Sequence, residues 1–123
     1  MAIERFEEIE AWKSARELVR ALYHTAERCP ALARDFALWD QLRRAGVSIM
    51  ANIAEGFDSR SGREFLRFLG YTYRSTSEVQ SHLYVALDQR YVAQDEFDGL
   101  YAQSTSVKKL LNGFIRHLKD PPR

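Results

Sequence analysis

The chain has 123 residues, 46% of them hydrophobic, enough for one core and one expected domain over residues 1–123. Its 18 basic and 17 acidic residues leave a formal charge of +1, so no global field draws it onto a polyanion and any basic site must be local. The single cysteine, Cys29, excludes an intramolecular disulfide; with charges spread through the first twenty residues and no uncharged run of membrane-spanning length, the expected address is a reducing cytoplasm.

Apolar residues recur at three-four spacing in four segments, which predicts helices over roughly 7–29, 36–55, 62–89 and 95–118. The first places Trp12, Ala15, Val19, Leu22 and Ala26 on one seam, with Cys29 next along it and Glu7, Glu8 and Glu10 at its positive end. Pro30 stops it, because the residue before a proline is pushed out of the α region. The second runs from Asp35, a natural N-cap, through Leu38, Leu42, Gly46, Ile49 and Ile53 to Glu55. Gly56 is expected to end it in the left-handed conformation that glycine adopts most easily.

Ser61 to Glu64 reads as a capping box opening the third helix, whose core positions are Phe65, Leu69, Thr72, Thr76, Val79, Leu83 and Ala86. The fourth repeats Phe97, Leu100, Ser104, Val107, Leu111, Phe114 and Leu118 before Asp120, Pro121 and Pro122 end it. No strand pattern competes, and the short connections make neighbouring helices antiparallel. The expected fold is all-α, an up-down-up-down antiparallel four-helix bundle. Gly46 and Gly70 cost about 1 kcal/mol each inside helices, so each is expected to mark a close helix approach.

Little in the chain points to catalysis. A bundle metal site needs Glu-x-x-His pairs on facing helices, and His24, His82 and His117 have no such partners. Phosphate loops, dinucleotide fingerprints and nucleophile elbows are missing too, and Cys29 reads as packing. The sequence therefore implies no metal, no cofactor, no small-molecule substrate and no enzyme.

Charge is more informative. Between Arg43 and Arg74 six arginines (Arg43, Arg44, Arg60, Arg63, Arg67 and Arg74) face three acids, Glu55, Asp58 and Glu64. At about 100° per residue, Arg60, Arg63, Arg67 and Arg74 share one face with Tyr71, opposite the core positions of the third helix. One reading is a solvated face in which Arg63 pairs with Glu64 and Arg74 with Glu78. The other is a row of phosphate contacts with Tyr71 free to stack on a base.

Leu66, Tyr73 and Tyr84 on the third helix, and Trp39, Met50 and Phe57 on the second, widen the apolar arcs beyond one bundle's interior and are the candidate subunit contacts. Asn52 and Glu55 are expected to tie the turn at Gly56 through Ser61.

The strings Phe6-Glu7-Glu8-Ile9-Glu10-Ala11-Trp12, Gln41-Leu42-Arg43-Arg44-Ala45, Asn52-Ile53-Ala54-Glu55-Gly56, Arg63-Glu64-Phe65-Leu66-Arg67-Phe68-Leu69 and Leu110-Leu111-Asn112-Gly113-Phe114-Ile115 together resemble a bacterial four-helix bundle family. Its founding members are encoded by intervening sequences inside 23S ribosomal RNA genes. Met50 departs from the pattern, standing where the family commonly has proline. The resemblance implies a homopentamer. It extends to the accessory variability determinant of diversity-generating retroelements, and so implies RNA or a reverse-transcriptase-like protein as partner. The expected protein is thus a non-enzymatic homo-oligomeric bundle that binds structured RNA or RNA/DNA through basic surface. The alternative is a protein-binding adaptor with no nucleic-acid role.

Overall fold

The computed structural model describes residues 2–120. After a 3-10 turn at Phe6–Glu8, the chain forms α1 (Glu10–Arg28), the short α2 (Pro30–Arg34), α3 (Phe36–Asp58), α4 (Gly62–Asp88) and α5 (Gln94–Lys119), with no strand among the described residues. Pro121 and Pro122, expected to end the last helix, lie outside the described residues.

Cross-helix contacts fix the directions. On α3 and α4, Ser48 Oγ lies 2.9 Å from Ser75 Oγ, while Gly56 lies against Phe65 nearer the turn. On α4 and α5, Phe65 packs on Phe114, Gln80 Nε2 donates to Thr105 Oγ1 at 3.2 Å, and Tyr84 packs on Phe97. On α1 and α3, Tyr23 meets Trp39 and Leu22 meets Gly46. α5 closes back on α1, where Cys29 and Arg28 reach Glu96. In the first three pairs residue number falls on one helix as it rises on the other, so α1, α3, α4 and α5 alternate in direction and α5 is antiparallel to α1 as well.

The α3, α4 and α5 core positions expected from periodicity are buried, except that Phe114 and Leu118 are half-buried near the end of α5. The seam of α1 needs correcting by a residue at two places. Ala11, Ala15, Leu18, Leu22, Thr25 and Ala26 face inward, while Trp12 and Val19 are only half-buried. Trp12 instead packs edge-on against Phe6, at 5.2 Å between ring centroids, under the guanidinium of Arg16. Of the buried hydroxyls, Ser75 bonds across to Ser48, whereas Thr25, Thr72, Thr76 and Ser104 each donate to the carbonyl one turn back, at 2.8–3.1 Å.

Pro30 does end α1, but it also occupies the first position of α2, where its missing N–H costs nothing. Asp35 caps α3 as expected, accepting Leu38 N–H at 3.2 Å, and its second oxygen accepts the Tyr91 hydroxyl at 3.0 Å. That bond ties the α2–α3 junction to the α4–α5 connection. Ser61 caps α4 through Glu64 N–H, but the reciprocal half of the capping box is not made, because Glu64 pairs with Arg67 instead.

Candidate nucleic-acid interface

The turn between α3 and α4 positions the basic residues, and it is built differently from the sequence expectation. Gly56 is not the left-handed stop: α3 continues to Asp58, no glycine among the described residues has positive φ, and the left-handed residue is Arg60, at φ 59°. Gly56 is buried inside the helix because α4 passes too close for a side chain. Nor do Asn52 and Glu55 tie the turn. Asn52 Nδ2 donates back to Ser48, to its carbonyl at 2.9 Å and its Oγ at 2.8 Å, and Glu55 is exposed. The knot is Ser59, whose Oγ donates to the Gly56 carbonyl at 2.6 Å and lies 3.5 Å from Ser61 N. The run Asp58-Ser59-Arg60-Ser61 carried that signal as turn-forming residue types.

Because Arg60 lies in this turn, before α4 begins, it stands off the helix wheel that its spacing suggests. It lines a crevice of about 400 Å³ with Glu4 and Asp58, so the field there is mixed. Arg63, Arg67 and Arg74 do share the outward face of α4, all exposed. Their pairing differs from the expected Arg63–Glu64 and Arg74–Glu78. Arg67 takes Glu64 through two nitrogens, at 3.2 and 2.6 Å, and Nη1 of Arg67 also donates to the Tyr71 hydroxyl at 2.8 Å. The guanidinium holds the Glu64 carboxyl below its ordinary range, and the carboxylate raises Arg67 further. Arg60, Arg63 and Arg74 make no ion pair among the described residues.

Tyr71 is already occupied. The guanidinium of Arg67, one turn before it, lies 5.5 Å from its ring centroid, and that of Arg74, nearly one turn after, lies 5.6 Å away. A base stacking on this ring must displace an arginine, so the face is built to present positive charge rather than an open aromatic platform. Arg43 and Arg44 on α3 are engaged as well: both reach Asp40, and their hydrogen bonds hold its carboxyl below the ordinary range.

The candidate subunit contacts sit largely at the rim of the chain's own bundle. Trp39 meets Tyr23 edge-on, Phe57 meets Phe65, and Tyr73 lies under the Lys108 ammonium at 4.9 Å. Met50 and Leu66 are half-buried, whereas Tyr84 remains 50% exposed while packing on Phe97 and Tyr101. Cys29 sits 3.5 Å from both oxygens of Glu96; burial first, then that carboxylate, pushes its thiol above the ordinary value. The described residues hold no cluster of three or more metal-ligating acid, histidine or cysteine side chains, and no described helix is long and apolar enough to cross a membrane.

Fold and surface together define an antiparallel helical bundle with an arginine-bearing helix face. The chain belongs to the 23S rRNA-intervening sequence protein family, whose model matches residues 7–113. A solved structure of a protein of unknown function from the S23 ribosomal protein family, from Bacteroides thetaiotaomicron, is similar in fold. Its TM-score is 0.79 at 22% identity, over 86% of this chain and 98% of that one. A comparison with curated proteins finds no match.

Proposed function

We propose that this protein is a non-enzymatic, homo-oligomeric helical bundle, a homopentamer by its family resemblance, that binds structured RNA or RNA/DNA through the outward face of α4. One observation carries the reading: Arg63 and Arg74 are exposed on one helix face without an acidic partner among the described residues, while Arg67 is held between them by Glu64 and Tyr71. Guanidiniums so placed meet phosphate oxygens with charge-assisted hydrogen bonds and read backbone rather than base sequence. The family's link to sequences within 23S rRNA supports RNA as the polyanion.

Repetition compensates for the small number of free cations. In a symmetric oligomer the face recurs once per subunit, so weak contacts add through avidity. The test is binding of a structured RNA across a salt series. The reading expects log affinity to fall linearly with log salt, because each phosphate contact releases counterions. No binding at low salt removes it and leaves the protein-binding adaptor, with its partner docked on the oligomer.

A further inference from the structure

Phe36, the first residue of α3, is 81% exposed, far more than the other large apolar side chains left open on the described surface. Its position does not demand an aromatic residue, because Asp35 supplies the cap. At the opposite end of the bundle, the N-terminal segment and the last turns of α5 leave an apolar cavity of about 400 Å³. Ile3, Ile9, Leu110, Gly113 and Phe114 line it. Leu110 is 39% exposed there, and a Cβ on Gly113 would meet nothing within 4 Å, so this glycine opens the cavity without serving any packing of its own chain.

The charges match as well. Arg34, exposed and without an ion pair among the described residues, stands two residues before Phe36. The cavity is flanked by Glu8 and Glu10 from the α1 side and by Lys109 and His117 from α5. An aromatic knob with a free cation beside it is thus complementary to an apolar socket that carries Glu8 on its wall.

We propose that Phe36 of one copy seats in the Ile3–Leu110–Phe114 socket of the next. Knob and socket lie at opposite ends of one chain, so the contact is head-to-tail. Such a contact closes into a ring or grows into a filament, and cannot form a two-fold dimer through one shared patch. This rests on the oligomeric reading above and adds which surfaces meet.

The experiment measures mass by light scattering for the parent, Phe36→Asp and Gly113→Phe, each checked for parental helicity by circular dichroism. Phe36 is too exposed for its loss to unfold the chain; should Gly113→Phe lose helicity, Leu110→Glu blocks the same socket. The parent is expected to be oligomeric and each variant alone to run at 14.3 kDa. An equimolar mixture at tenfold higher concentration should form a 1:1 dimer, because the Gly113→Phe copy keeps its knob and the Phe36→Asp copy keeps its socket. A monomeric parent overturns both the oligomer and the knob. An oligomeric parent whose Phe36→Asp variant keeps its mass overturns the knob alone, as do two monomeric variants that fail to pair on mixing.

Discussion

Gly56 on α3 lies so close to Phe65 on α4 that a methyl group added to it would stand 2.8 Å from Cδ1 of that ring, and equally 2.8 Å from Cβ of Phe68. The second contact decides the outcome. A ring edge can swing aside, but a Cβ moves only with its backbone, so Gly56→Ala forces α3 and α4 apart beside the turn. Overpacking of this kind costs about 1–3 kcal/mol, against a gain of about 1 kcal/mol in helix propensity. Gly56→Ala is expected to lower the denaturant midpoint; an unchanged midpoint would show that the helices separate without cost.

Arg60 supplies the opposite prediction. It holds φ 59°, and Arg90, after the end of α4, holds φ 62°. A side chain in this region costs about 1–2 kcal/mol relative to glycine, offset in part by glycine's greater unfolded-state entropy. Arg60→Gly and Arg90→Gly should each stabilise the fold by up to about 1 kcal/mol, read as a higher melting temperature. A loss of stability in both would mean that the arginine side chains hold the turns.

The helices were legible because their core positions repeat without interruption, and Asp35, Ser61 and Pro30 act as caps and breaks by local chemistry alone. What escaped was whatever depends on the neighbouring helix. A glycine near a helix end reads the same whether it needs positive φ or a close approach, and only the position of Phe68 tells which. Likewise, the stripe was visible as spacing, but Glu64 choosing Arg67 over Ser61, and Arg67 and Arg74 closing on Tyr71, depend on rotamers that spacing does not encode. The seam of α1 slipped by one residue at Trp12 and Val19, apolar side chains that only border the core.

Gly46 and Gly70 separate in the same way. A Cβ on Gly46 would meet Leu22 Cδ1 at 3.0 Å, a close approach as expected, whereas one on Gly70 would meet nothing within 4 Å. Gly70→Ala should therefore stabilise the isolated chain by about 0.5–1 kcal/mol through helix propensity. Measured on the oligomer, a destabilisation would place a second copy against this stretch of α4.

Glu96 gives a pH signature. Its carboxylate accepts Ala93 N–H at 3.1 Å and lies near the Cys29 thiol and Arg28, and these contacts lower its pKa from the ordinary 4.5. A carboxyl whose folded pKa is lowered adds stability that is fully present above its unfolded pKa and is lost as pH falls through the folded one. Glu96→Gln should flatten stability against pH below 4.5. Equal slopes in parent and variant at acid pH would show that the carboxylate is no better held folded than unfolded.

The arginines divide into held and free, and that division is itself testable. Arg43, Arg44 and Arg67 are engaged by Asp40 and Glu64, whereas Arg60, Arg63 and Arg74 have no acidic partner among the described residues. A held guanidinium must give up its carboxylate to reach a phosphate, so it adds less to affinity than a free one even though total charge counts both alike. Replacing the free three by glutamine should leave helicity intact, since all are exposed. It should reduce the slope of log affinity against log salt by about 0.9 for each duplex phosphate that the protein then leaves unneutralised. Replacing the held three should change that slope less. Similar reductions from both sets would mean that affinity follows net charge and not the division into held and free. A larger reduction from the held set would show that Asp40 and Glu64 do not keep those arginines from phosphate.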